Sequence, residues 1–286
     1  ITSNFEFAKK FLIDYRKKRQ GTVYLKTHFN PPALKMDWPK KFVKHLVYLF
    51  NDKHDLTRRP IISLIEYRLK QLFTFLIVKI SNTFETSKLI PSKYVLIALH
   101  KPDDSALDVQ SSSYINQIEA IKAFIRKVPI EYKVIIKDHP HALGLNSLSN
   151  YRVLRNIPSV IMVNPKVDIF TLIDQAELIF TLSGTVSLES ALMGKRALTA
   201  NKKYFSEVMM RESISPYELS SSELRNILAE DLVKDSQLVN YLAKIHANSY
   251  KGMVMDPTLS DIYSSEVNRD NVYAGFKKFL SHKVSN

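Results

Sequence analysis

Lys133-Val134-Ile135-Ile136-Lys137-Asp138-His139-Pro140 decides the fold: a short β-branched run empties directly into a polar loop stiffened by proline. Branched Cβ atoms sit well on a pleated strand, and the proline blocks any continuation as helix. The same pattern recurs on both sides. Upstream, Tyr94-Val95-Leu96-Ile97-Ala98-Leu99 leads into a polar loop over 100–113 and an amphipathic helix over 114–127. Downstream, the runs 160–163, 178–181 and 197–200 read as further short strands, with helices over 169–175 and 185–193 between them and Gly194 closing the second helix. Strands and helices in this rhythm predict an α/β fold, a doubly wound and mostly parallel sheet. In such sheets ligands bind beyond the carboxyl ends of the strands, where the polar loops fall.

Residues 1–90 read differently. Apolar residues at three- and four-residue spacing predict helices over 5–19, 38–50 and 61–80, interrupted at Asn30-Pro31-Pro32 and Arg59-Pro60. The chain is therefore expected to divide into a helical basic region over 1–90 and a Rossmann-like domain over 91–286. Periodicity at 224–233 and 238–245 predicts C-terminal helices packed back on the sheet. Of the net charge of +13, most belongs to the first part, where 18 Lys and Arg face 7 Asp and Glu. Such a region is either a solvated basic face or an attraction for an anionic membrane surface or glycan. Nucleic acid is not expected, because no helix-turn-helix, zinc or RNA-recognition signature accompanies the charge.

Cysteine is absent, so there is no disulfide framework and no thiolate metal site, and a cytoplasmic protein is expected. The first residues lack the order of a secretory leader. The stretch 61–80 is the nearest approach to a membrane span, but Glu66, Arg68, Lys70 and Lys79 interrupt it, which predicts a buried or interfacial helix. The sequence opens at Ile1, and residues upstream are expected to be missing from it.

Three loops carry candidate chemistry. In Lys137-Asp138-His139-Pro140 the imidazole faces the expected crevice, where it can donate to a phosphate or move a proton; a turn histidine satisfied by backbone is the plainer alternative. In Thr181-Leu182-Ser183-Gly184-Thr185 the chain turns from strand into helix, so backbone N–H groups and the Ser183 and Thr185 hydroxyls suit a phosphate. Glu189, one turn on, can accept from ribose hydroxyls. An ordinary capping turn with Glu189 solvated is the alternative there, since a single glycine makes neither a Walker loop nor a dinucleotide fingerprint. In His100-Lys101-Pro102-Asp103-Asp104-Ser105 two carboxylates stand at the same mouth, suited to attack on an anomeric carbon or to general base work, or else simply solvated.

Taken together these loops resemble the bacterial capsule-polysaccharide biosynthesis family, which includes the Kdo transferases. The family pattern L-H-x-x-P-E/D-x-S is approximated by Leu99-His100-Lys101-Pro102-Asp103-Asp104-Ser105, with a one-residue ambiguity in the acid, and K-x-H-P by Lys137-Asp138-His139-Pro140. The pattern G-T-x-x-x-E-A-L-x-x-G-K is matched from Gly184 to Lys195 with one extra residue before Ala191. The resemblance spans about residues 90–210. It implies the nucleotide-binding half of a two-lobed GT-B glycosyltransferase. The nucleotide of a donor such as CMP-Kdo would be held by Lys137, His139, Pro140, Ser183, Gly184, Thr185 and Glu189, and the catalytic residues would be Asp104, Asp103 and His139. His100 stands where the Kdo transferases have glutamine, which leaves the donor sugar open.

The expectation is sugar transfer from a nucleotide donor to a capsule or lipopolysaccharide glycan, the acceptor being a glycan or lipid-linked glycan. It would proceed without metal or other cofactor, at the cytoplasmic face of the inner membrane. A nucleotide-sugar epimerase-like enzyme and a non-catalytic binding protein of the same machinery are the alternatives.

Overall fold

The computed structural model describes residues 2–19, 40, 43, 61–80, 84, 90–102, 104–142, 145–254 and 261–284. In chain order the helices are α1 (Thr2–Lys18), α2 (Ile61–Ile80), α3 (Ser105–Asp108), α4 (Gln117–Ile125), α5 (Leu148–Arg155) and α6 (Ile169–Gln175). They continue with α7 (Val186–Leu192), α8 (Ser221–Ala229), α9 (Asp235–Ala247), α10 (Asp261–Ser264) and α11 (Glu266–Val284). The strands are β1 (Tyr94–Ala98), β2 (Lys133–Lys137), β3 (Val160–Val163), β4 (Leu178–Thr181) and β5 (Arg196–Thr199). The helix expected over 38–50 lies outside the described residues, apart from Lys40 and Val43.

All five strands join one sheet in the order β3-β2-β1-β4-β5, and every pairing is parallel. Connectivity runs outward from β1 to β2 and β3, then crosses back to β4 and β5. The loops after β1 and β4 therefore diverge to opposite sides, leaving the crevice characteristic of a doubly wound sheet. β1 and β4 are buried along their whole length, because helices cover both faces and leave no solvated side to alternate with. On one face Val95, Ile97, Val134, Ile136 and Phe180 pack in one cluster with Ile118, Ile121 and Phe124 of α4 and with Leu224 and Ile227 of α8. On α6, Leu172 and Ile173 are wholly buried, and the Leu172 carbonyl accepts from the Tyr94 hydroxyl (2.6 Å).

Side-chain caps start the helices. Asn116 accepts from Glu119 N–H before α4, Ser147 from Asn150 N–H before α5, Asp168 from Thr171 N–H before α6 and Ser220 from Glu223 N–H before α8. The Asn116 cap explains why α4 begins three residues later than its apolar periodicity suggests. Gly194 closes α7 at φ 73°, a conformation that other residues rarely adopt.

The chain separates into two compact units, one of residues 1–29 with 234–286 and the other of residues 30–233, so the units do not divide at 90/91. Of the two C-terminal helices expected to cover the sheet, α8 does so, while α9 belongs to the first unit. α9 pairs with α1 inside the first unit: Phe7 stacks on His246 with ring centroids 3.8 Å apart, and Arg16 grips Asp235 through two bonds of 2.6 and 2.8 Å. Ala8 and Leu12 on α1, and Leu238 and Tyr241 on α9, supply its buried apolar side chains.

The parallel stack of Phe124 on Phe180, with centroids 3.8 Å apart and both rings fully buried, ties α4 to β4. Phe124→Ala is expected to lower unfolding free energy by about 3–5 kcal/mol, measured by urea titration of the full chain.

Candidate active site

His100 is the hub of the crevice. Its backbone N–H donates to Gln117 Oε1 and its carbonyl accepts from Gln117 Nε2, both at 3.1 Å, which fixes the loop after β1 against the start of α4. Its ring reaches across to the loop after β4, where the Ser183 backbone N–H donates to Nε2 (3.1 Å). An amide N–H can only donate, so Nε2 is an acceptor and the ring proton sits on Nδ1. That nitrogen lies 3.6 Å from Asp104 Oδ2.

Asp104 is the N-cap of α3, with Oδ1 accepting from Ala106 N–H (3.0 Å). The contact with His100 is the largest influence holding its carboxyl below the usual carboxylate range; partial burial opposes it, while Ala106 N–H and the nearby His139 imidazole add to it. At 3.6 Å the His100 contact is longer than a regular hydrogen bond, so it acts as a directed dipole. Asp104 is thus ionised near neutral pH and about one-third exposed at the crevice mouth. Asp103 lies outside the described residues.

The loop after β2 is built on Asp138, which the sequence motif carries without marking. Its carboxylate is buried and accepts from His139 N–H (2.8 Å), from Asn146 Nδ2 (3.1 Å to each oxygen) and from the Tyr151 hydroxyl (2.5 Å). Burial pushes its pKa up while these donors pull the other way. Asp138 therefore ties the end of β2 to Asn146 and to Tyr151 of α5, with the His139 side chain half-buried beside it. Pro140 begins a short 3-10 turn, Pro140–Ala142. Lys137 does not offer its ammonium to the crevice. It is buried, donates to the Pro165 carbonyl (2.6 Å) and is pulled down to about 8 by desolvation, which makes it a tie between the ends of β2 and β3.

At the β4 turn two of the backbone donors expected to meet a phosphate are engaged internally. Ser183 N–H goes to His100, and Gly184 N–H goes to Thr181 Oγ1 (3.2 Å). Gly184 is required by crowding, since a Cβ there would fall 2.9 Å from Thr181 Oγ1. Thr185 is exposed and makes no side-chain cap bond. Ser183 Oγ and Glu189 Oε2 are buried without a hydrogen-bond partner, as are, among the described residues, Ser111 Oγ in the segment after β1 and Thr199 Oγ1 at the end of β5. Glu189 is not solvated, and burial pushes its pKa up to about 7. Buried polar atoms without partners cost free energy unless something satisfies them. Among the described residues no group of three or more His, Asp or Glu is arranged to hold a metal ion.

An α/β domain with a parallel sheet, a switch-point crevice and an ionised acid at its mouth is the class these features define. The family model described as "Capsule polysaccharide biosynthesis protein" matches residues 67–212, just over half of the 286 residues, and the chain belongs to that family. No curated protein matches the chain. Among solved structures, UDP-GlcNAc 2-epimerase from Methanocaldococcus jannaschii is similar at 18% identity and TM-score 0.37, over 56% of this chain and 47% of that one. The structure of the epimerase from the same organism in complex with UDP-GlcNAc and UDP is similar at 14% identity and TM-score 0.27, over 63% and 52%. The chain spans about half the length of these structures.

The Glu189 carboxyl gives a pH prediction. Its pKa is raised from 4.5 to about 7 in the folded state, so the native chain binds the extra proton between those values and stability falls as pH rises through that window. Glu189→Gln removes this loss. Thermal melts from pH 5 to 8 are expected to show the variant gaining steadily on the wild type, and parallel curves would place Glu189 in contact with solvent.

Proposed function

We propose that this chain carries the donor-binding half of a GT-B glycosyltransferase, moving a sugar from a nucleotide-activated donor to a glycan of a bacterial capsule or lipopolysaccharide. The observation that carries the reading is the pairing, at one crevice, of buried partnerless acceptors and donors on the β4 side with an ionised acid on the β1 side. Ser183 Oγ and Glu189 take polar groups of the nucleotide, Glu189 from the ribose hydroxyls. Thr185 offers a further hydroxyl at the same turn. His139 donates to the phosphate from the β2 side. Lys137, Pro140 and Gly184 act through shape, holding their loops where these side chains are needed.

Asp104 is the reactive acid. A carboxylate kept below its usual pKa is a weak base and remains fully ionised, which suits attack on an anomeric carbon better than proton abstraction. Attack by an Asp104 oxygen forms a C–O bond as the bond to the donor phosphate oxygen breaks, and the electron pair leaves with the nucleotide. An acceptor hydroxyl then forms the new C–O bond as the bond to Asp104 breaks, returning Asp104 as a carboxylate, and the hydroxyl proton passes to water. The neutral Nδ1–H of His100 steadies the carboxylate without neutralising it. Asp103 is the neighbouring candidate, because the motif admits either acid. The single phosphate of a CMP donor such as CMP-Kdo needs little neutralisation, which agrees with a reaction requiring no metal or other cofactor. The cytoplasm supplies such donors, and the acceptor is a glycan or lipid-linked glycan.

A thermal-shift screen of nucleotides and nucleotide sugars tests the donor site, since a ligand at 100 times its Kd adds about 2.7 kcal/mol. His139→Ala is expected to weaken nucleotide binding with the melting point of the free protein unchanged; unaltered affinity removes it from the site. Asp104→Asn is expected to cut transfer by orders of magnitude while nucleotide affinity stays within about twofold, since the lost interaction belongs to the transition state. Full turnover in both Asp104→Asn and Asp103→Asn overturns the role of this loop. Isomerised donor in the absence of acceptor identifies an epimerase, and tight nucleotide binding with no turnover identifies a binding protein.

A further inference from the structure

Helix α2 is laid on its domain with its polarity reversed. Gln71, Thr74 and Val78 are its buried face, at 3–4% exposure, and Val78 joins the core beneath the sheet. The side chains turned outward are Ile65, Leu69, Leu72, Phe73, Leu76 and Ile80, with Leu69, Phe73 and Ile80 each more than 60% exposed. At 100° per residue these six fall within an arc of roughly 100°, directly opposite the buried three. This is a continuous apolar stripe, not a scatter of single residues, and a stripe of that width normally faces a core.

Charge along its margins indicates what it meets. Arg68 and Lys79 run along one edge of the stripe; at the other Glu66 stands next to it and Lys70 further round, so the margins carry three cations against one acid. Arg68 also donates to Gln71 Oε1 (2.8 Å), bridging the stripe's edge to the buried face. A helix with an apolar stripe between basic margins fits the boundary between acyl chains and anionic headgroups, where lysine and arginine stems cover apolar surface while their charges reach phosphate. A second copy of the chain would bring the same cations to the same margins, within a region where 18 basic residues already outnumber 7 acidic ones. No helix among the described residues is long and apolar enough to cross a membrane, so this contact is with the surface plane.

From this arrangement we infer that α2 is a membrane-surface anchor, seating its Leu69–Phe73–Leu76 stripe in the interface of an anionic bilayer. The inference does not depend on the chemistry of the crevice, which lies at the strand ends. It gives the domain a fixed attachment on the helix that precedes β1, and suits an acceptor presented at a lipid surface.

Co-sedimentation of the full chain with phosphatidylcholine vesicles, with and without about one-third phosphatidylglycerol, tests it. The wild type is expected to bind the anionic vesicles. The triple variant Leu69→Ser, Phe73→Ser, Leu76→Ser is expected to bind at least about tenfold more weakly at an unchanged melting point, because only exposed side chains are altered. A second variant, Lys70→Glu with Lys79→Glu, is expected to lose about tenfold through charge alone. No binding by the wild type overturns the inference. So does full binding by the triple variant, which would assign attachment to other basic residues. A solution dimer that the triple variant dissolves, detected by sedimentation velocity, would make the stripe an interface between copies and equally overturn it.

Discussion

The bond from Ser183 N–H to His100 Nε2 organises the crevice. It joins the loops of β1 and β4, the neighbouring strands whose connections run to opposite sides of the sheet, and the Thr181 hydroxyl adds contacts to His100 Nε2 and the Ala98 carbonyl (3.3 Å each) at the same strand ends. Because an amide cannot accept, the bond also selects the ring tautomer, and the tautomer aims a proton at Asp104. A contact of 3.1 Å from the β4 loop thus orients the ring that faces Asp104, four residues further along the loop after β1. Gln117, holding the His100 backbone at both polar groups, prevents the ring from relaxing out of this arrangement.

Around that hub the buried polar groups fall into two kinds. Asp138 and Lys137 are surrounded by partners, Asp138 by three donor groups and Lys137 by the Pro165 carbonyl, and both serve the shape of the loop after β2. Ser183 Oγ and Glu189 Oε2 lack partners at comparable burial. A folded chain tolerates the first kind as structure and retains the second at a cost, and the second kind lies where a doubly wound sheet takes its ligand. The same contrast explains why neighbouring residues of one motif separate in role: Lys137 and Asp138 are buried in the loop's own bonds, while His139 joins them through its backbone N–H and keeps a half-buried ring.

Short β-branched runs and the loops after them were sufficient to locate the strands, because strands buried on both faces must be apolar without interruption. β2, β3 and β4 begin and end where their residues change character, and Ile61–Ile80 likewise coincides with its helix. The α5 helix was not legible: Leu148, Tyr151 and Leu154 are its only strong signal amid serine, asparagine and arginine, and its Ser147 cap gains meaning only once Tyr151 has Asp138 to bind. The partnership of α1 with α9 was equally hidden, since it joins segments more than 200 residues apart through Arg16 and Asp235.

Sequence by itself determined the α/β class, the parallel sheet and the three loops at its carboxyl edge, since these follow from local periodicity and from proline and glycine chemistry. Tertiary structure alone decided which atoms of those loops are spent and which are open. His100 was legible as a departure from a motif, yet its role rests on a neighbour 83 residues away. Glu189 was legible as a ligand candidate, with a solvated carboxylate as its alternative, yet burial in the fold raises its pKa to about 7. Hydrogen-bond satisfaction and desolvation are properties of surroundings assembled from the whole fold, and no window of sequence contains them.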